Sequence, residues 1–308
     1  MIQSIARRVG RMLTPGQIAS YREHGYLVVE GVVDPGRLAI LRRVVDELVE
    51  RAHGLTDHTD VYDLEDSHSP DAPRVRRIKQ PHLRHPAFAA LVADPAVVAI
   101  LTALIGPDIR LQNTKLNLKA AGYGAPVEWH QDWAFYPHTN DDVLATGLYL
   151  DDCDLDNGPL LVVPGSHRGP TYDHHANGYF CGALDPERAG VDVSAAVPLA
   201  GPAGSLTIHH ARLVHGSALN VSRRPRRLLL HEYRAADAWP LLGVSDFDAF
   251  QAQMVAGRPT LVPRIVPTPV RMPLPVAKHQ GSIYENQRGA ARRYFAVPGA
   301  AARARSAT

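Results

Sequence analysis

At 308 residues, 45% of them hydrophobic and 21% charged, the chain has enough apolar material to bury a core without disulfides. A net charge of +2 supplies no broad field for nucleic acid or a membrane surface, so neither is an expected partner. Cys153 and Cys181 make no disulfide framework, no apolar run stands out as a membrane span, and the basic leader MIQSIARRVGRML has no apolar segment, so a cytoplasmic location is expected.

Thr14-Pro15 is a good N-cap and first-turn pair, and it predicts a short amphipathic helix over 14–25. Gly25-Tyr-Leu-Val-Val-Glu30 reads as a strand. Asp34-Pro35 opens a longer helix to about Ala52, with Leu38, Leu41, Val44, Val45 and Leu48 at helical spacing. Residues 53–84, rich in His, Asp and Pro, read as a loop. A helical region follows over about 86–105, interrupted at Asp94-Pro95 and ended by Gly106-Pro107.

The texture then changes to short β-like runs: Ile109–Lys119, Val127–Trp133, Leu144–Leu150, Leu160–Val163, Ser205–His209 and Arg227–Tyr233. Turn clusters such as Asp156-Asn-Gly-Pro159 separate them, a pattern of sandwiches and barrels. The expected fold is mainly β with flanking α-helices, built on a double-stranded β-helix, a jelly roll of the cupin type. One domain is expected: a helical region over about 14–105, a core over about 106–240 and an extension over about 241–308 with a mobile tail from about 287. Oligomeric state is open between monomer and homodimer.

Trp129-His130-Gln131-Asp132 carries the chemistry. Strand alternation puts His130 and Asp132 on one face and turns Gln131 away. A distant His215 completes two imidazoles and one carboxylate, a set that suits non-haem Fe(II) oxygenases. Arg226, eleven residues further on, is placed to hold a dicarboxylate. The pair alone fits a half-buried strand making ordinary hydrogen bonds equally well. The chain has sixteen histidines and a second copy, His58-Thr-Asp60, in the polar loop with no matched His and Arg downstream. His209, His210 and His231 compete with His215, which is favoured by the arginine that follows it; His209 and His210 read as packing near the site. Asp152-x-Asp154-x-Asp156 fails as a calcium loop, with Asn157 in place of Gly and Val163 in place of Glu.

LTPGQIASYREHGYLVVEGVV, LQNTKLNLKAAG ahead of WHQD, DNGPLLVVPGSHRG and HGSALNVSRRPRR occur in this order. Together they resemble the phytanoyl-CoA dioxygenase family of Fe(II)/2-oxoglutarate oxygenases. The resemblance implies that His130, Asp132 and His215 bind Fe(II), that 2-oxoglutarate and O2 are cosubstrates, and that the far carboxylate of 2-oxoglutarate meets Arg226. Alternation turns Arg227 to the other face. Ser217 and Asn117 match positions that touch the cosubstrate, and Lys115 and Asn113 are candidates for the same pocket. The retained Asp132 implies hydroxylation of an unactivated C–H in a small metabolite, with succinate and CO2 released. Desaturation, epimerisation, cyclisation, or a jelly-roll metalloprotein without 2-oxoglutarate are the alternatives. Trp133, Phe135, Tyr136, His138, Arg234 and Trp239 are candidates for substrate contact, and Arg76, Arg77 and Lys79 for an anionic group.

Overall fold

The computed structural model describes residues 12–122 and 124–295. The basic leader up to residue 11 and the tail beyond 295 lie outside the described residues. Helix α1 (Pro15–His24) starts at Thr14, whose side chain accepts from the Gln17 N–H while Gln17 reciprocates, and ends at Gly25 with φ of 83°. Strand β1 (Tyr26–Val29) follows, then α2 (Pro35–Glu50), capped by Asp34. The five apolar positions expected along α2 are all buried, each contributing about 1.5–3 kcal/mol.

Strands β2 (Tyr62–Leu64) and β3 (Val75–Lys79) lie within the segment expected to be a loop. Their isolated patterns, YDL and VRRIK, are too short and too charged to signal strands; pairing makes them, β2 with β3 and β3 with the strand Ile109–Lys119. Helices α3 (Pro86–Val92) and α4 (Pro95–Ile105) break at Asp94-Pro95 as expected. Pro86–Ile105 does reach the length and apolarity of a membrane span, contrary to the sequence expectation. The break splits it in two, and Val97, Ile100, Leu101 and Ile105 bury into the main core.

The remaining strands are β4 (Ile109–Lys119), β5 (Val127–His130), β6 (Val143–Tyr149), β7 (Leu160–Val162), β8 (His175–Ala176), β9 (Tyr179–Phe180), β10 (Val197–Leu199), β11 (Leu206–His210), β12 (His215–Ser217), β13 (Arg226–Ala235) and β14 (Met254–Ala256). Short helices α5 (Pro186–Ala189), α6 (Phe247–Ala252) and α7 (Ile283–Asn286) lie among and after them. The major sheet runs β1-β11-β6-β13-β4-β3-β2, with β14 also on β4; the minor sheet runs β10-β7-β12-β5. Apart from the consecutive run β4-β3-β2, strands distant in sequence are neighbours in both of these sheets, as in a jelly roll. β6 is buried along its whole length, two strands in from the β1 edge. Helices α2 and α4 cover the major sheet's outer face, and the minor sheet closes over its inner face.

Two local expectations change. β5 ends at His130, and Asp132 opens a 3-10 turn instead of continuing the strand. Residues 287–295 are not a loose tail: Tyr294 and Phe295 pack on Trp129, and their N–H groups donate to Glu128 Oε2.

Candidate metal centre and cosubstrate pocket

The register of β12 on β5 sets His215 directly opposite His130. Their ring centres lie 4.0 Å apart. Each imidazole uses Nδ1 on the carbonyl two residues back, His130 on Glu128 O at 2.8 Å and His215 on Leu213 O at 2.9 Å. That bond assigns Nδ1 the proton and leaves both Nε2 atoms for a metal. Gln131 stays extended, so Asp132 still returns to the face of His130. Its Oδ1 lies 3.7 Å from His130 Nε2 and 3.9 Å from His215 Nε2. The donor atoms of all three residues fall within 4.8 Å of one another, and the side chains are buried.

The electrostatics suit a cation. Burial alone would raise the Asp132 carboxyl, but His215, His130, His209 and Lys115 outweigh it and hold it well below the usual carboxylate range. Burial, with His130 and His209 beside it, holds His215 well below the usual imidazole range, which suits it to act as a neutral ligand. His209 Nε2 lies 3.3 Å from Asp132 Oδ2. That contact occupies one carboxylate oxygen and leaves Oδ1 facing the histidines. Gln131, turned away, bonds Pro170 O and Arg212 O and accepts from Tyr172 N, which anchors the strand end.

The cavity beside the triad is about 40 Å³ and lies between the two sheets. Arg226, Ser217, Lys119, Asn117, Lys115 and Arg77 all line it. Arg226 is 2% exposed; Nε and Nη2 donate to Gly158 O, at 3.2 and 2.7 Å. Its Nη1 is buried with no hydrogen-bond partner among the described residues. A buried guanidinium with an unused donor fits a carboxylate, and two imidazoles presenting Nε2 beside one ionised carboxylate fit Fe(II). Arg227 points outward to Asp151 and Asp46, as alternation requires.

The model of the Phytanoyl-CoA dioxygenase (PhyH) family matches residues 21–228. This chain belongs to that family. It is 38% identical over 283 residues to a "Probable alpha-ketoglutarate-dependent hypophosphite dioxygenase" of Stutzerimonas stutzeri, covering 91% of this chain and 99% of that one. It is 27% identical over 240 residues to an ectoine dioxygenase of Sphingopyxis alaskensis, with 71% and 75% covered. An L-proline trans-4-hydroxylase of Streptomyces griseoviridis is 33% identical over 172 residues, with 49% and 64% covered. Among solved structures, EctD from S. alaskensis in its apoform aligns with a TM-score of 0.64 at 23% identity, covering 87% of this chain and 93% of that one. The protein is a hydroxylating dioxygenase that uses Fe(II) and 2-oxoglutarate, and its core is the double-stranded β-helix.

The other expected site residues divide. Asn113 is exposed and bonds the Thr114 N–H, so it lies beyond the cavity rim although it shares the alternation of Lys115 and Asn117. Phe135 stands edge-on to His130 with centroids 6.0 Å apart. Tyr136 lies close to Asp132 and Glu232; burial and those two carboxylates keep its phenol protonated. Trp133 is fully buried, with its indole N–H on Pro269 O. His138 bonds Tyr136 O and meets Arg234, which also bonds Gln253 and stacks on Phe250. Trp239 packs on Phe250. Trp133, His138, Arg234 and Trp239 are therefore packing groups outside the cavity.

Among the rival histidines, His210 and His231 stand away from the cavity lining. His58 bonds the Leu64 N–H and faces Glu285, while Asp60 faces Arg84, so the second His-x-Asp pair is structural. Lys79 pairs with Asp63 and Arg76 with Glu285. Sequence reading missed Lys119, although two-residue alternation from Lys115 and Asn117 signals it. It also missed Ile283 and Tyr284 of α7, which close the cavity from the C-terminal extension and carry no motif.

Proposed function

We propose that the enzyme hydroxylates a small oxyanion whose reacting hydrogen is carried on phosphorus, with hypophosphite as the first candidate. The observation that carries this reading is the near full-length similarity to a protein named for hypophosphite oxidation. The cavity supports it. Its walls carry Arg77, Lys115, Lys119 and Arg226, a basic lining that suits an anion. His130, Asp132 and His215 would hold the iron, and Arg226 with Ser217 the far carboxylate of 2-oxoglutarate. When bound, these groups supply the oxidising chemistry: O2 gives one atom to succinate and one to the hydroxylated product, and CO2 leaves.

The chain's own residues orient and protect. His209 keeps one Asp132 oxygen occupied. Phe135 and Phe180, edge to face at 5.0 Å, screen the His130 side from water. The test is ³¹P NMR of hypophosphite with Fe(II), 2-oxoglutarate and O2. Phosphite and succinate should form one to one, and His130→Ala should form neither. Succinate release driven by L-proline or another C–H substrate, with no phosphite, would move the reading to carbon hydroxylation, which the similarity to L-proline trans-4-hydroxylase favours.

A further inference from the structure

Alternation along β3 turns Arg77 inward, where it pairs in register with Asn117 of β4. It is 6% exposed, and its hydrogen bond runs from Nε to Asn117 Oδ1 at 2.9 Å. Among the described residues no carboxylate forms an ion pair with it. Asp63, its partner across β2, is taken by Lys79 at 2.8 Å. Cζ lies 4.9 Å from the centre of the Tyr284 ring, which covers one face of the guanidinium. Arginine does not give up its proton, so a positive charge stays buried here beside a neutral amide, an arrangement that costs stability unless an anion compensates it.

The cavity's other cations are engaged. Lys115 is 2.5 Å from Glu232. Lys119 donates to the carbonyls of Ser217 and Ala218, and burial beside Arg226 drives it well below the usual lysine range. Arg226 answers the far carboxylate. With metal and cosubstrate bound, the divalent cation, Asp132, the dianionic cosubstrate and Arg226 cancel in charge. Arg77 then remains as a positive charge on the cavity wall that no ion pair neutralises among the described residues; the field of Asp63 reaches it, but that carboxylate is bonded to Lys79.

We propose that Arg77 anchors the substrate: the edge of its guanidinium not used on Asn117 binds a monoanion, and the enzyme thereby selects small monoanions over neutral molecules. The substrate class rests on the small-oxyanion reading above, but the anchor is tested apart from it. The anaerobic Fe(II)–2-oxoglutarate form is titrated with hypophosphite, formate and L-proline, and the shift of its visible charge-transfer band gives each affinity. In Arg77→Gln, hypophosphite affinity should fall at least about tenfold, the loss of one charge-assisted hydrogen bond, while 2-oxoglutarate affinity stays within about twofold. Arg77→Lys should recover part of the loss. An unchanged hypophosphite affinity in Arg77→Gln overturns the anchor. So does a loss of 2-oxoglutarate affinity in its place, which would make Arg77 a cosubstrate residue. If formate perturbs the wild type, hypophosphite does not, and Arg77→Gln loses the formate response, the anchor stands and the phosphorus reading fails. If L-proline perturbs both proteins equally and neither monoanion perturbs either, both readings fail.

Discussion

Arg226 is held in place by one carbonyl. Gly158 O takes two of its donors and fixes the plane of the guanidinium, leaving Nη1 unused and buried. Losing a charge-assisted hydrogen bond in such a place costs about 1.5–3 kcal/mol, so Arg226→Ala should raise KM for 2-oxoglutarate about 10–100-fold. Arg226→Lys should recover little, because one ammonium on a flexible stem cannot serve both Gly158 and a carboxylate plane. Arg227→Ala is the control: its partners Asp151 and Asp46 lie on the outer face, and KM should not move. Glu65 gives a different residue-scale prediction. Burial raises its carboxyl from the ordinary 4.5 to about 7, against a smaller opposing pull from Arg76. Between those pH values the folded chain holds a proton that the unfolded chain has lost. Stability therefore falls as pH rises through the window, and the loss is complete above about 7. Glu65→Gln should remove it, stabilising the protein at pH 8 by on the order of 1–3 kcal/mol and little at pH 4.5, read from denaturant midpoints at the two pH values.

The elements convert distant residues into a site by register. β12 is three residues long, yet its pairing with β5 puts His215 opposite His130, and β13 pairs Arg226 with Lys119. The turn before β7 matters as much as the strands. Gly158 has φ of 78°, and a Cβ there would stand 2.8 Å from Ala218 O and 2.9 Å from Lys119 Cδ. Gly158→Ala should shift the carbonyl that holds Arg226. The expected result is a rise in KM for 2-oxoglutarate of about tenfold, with metal affinity measured by titration unchanged, because no triad residue touches this turn. The elements that sequence revealed are those with local signals. β4 has its expected bounds because it is a long run of β-like residues that pairs with β13 along its length, with one register shift opposite Glu232 and Tyr233, and the helices with proline in the first turn start where Thr14, Asp34 and Asp94 place them. β2, β3, β12 and β14 have three to five residues each and exist only because a neighbour pairs with them. The same division runs through the site. His130, Asp132, His215 and Arg226 were legible from spacing and alternation together with the family resemblance. Arg77 was readable only as one of three basic residues, with Arg76 and Lys79, that could meet an anionic group, since nothing local shows that β3 lies beside Asn117.

At the scale of the whole molecule, the C-terminal extension is part of the metal centre's support. Gln287 Oε1 accepts from the Glu128 N–H at 2.9 Å, and its Nε2 donates to Glu128 O at 3.3 Å and Gly182 O at 3.0 Å. Glu128 O is also the acceptor that orients His130 through Nδ1. One side chain 159 residues away thus clamps the strand that presents the first imidazole. Tyr294 and Phe295 reinforce the clamp by packing on Trp129 and donating to the Glu128 carboxylate. Gln287→Ala leaves the buried Glu128 N–H without a partner, at a cost of about 1–3 kcal/mol, with a further loss from the two donor bonds. A purely structural role predicts a lower Tm and nothing more. A role in presenting His130 also predicts weaker metal binding in protein that is still folded. Stabilisation by a ligand rises as RT ln(1 + [L]/Kd), so the Tm increase on adding Fe(II) anaerobically reports affinity apart from the starting Tm. In Gln287→Ala that increase should shrink, with a metal Kd at least about tenfold higher by titration at a temperature where circular dichroism shows the fold intact. An unchanged metal Kd alongside a lowered Tm would confine Gln287 to holding the fold.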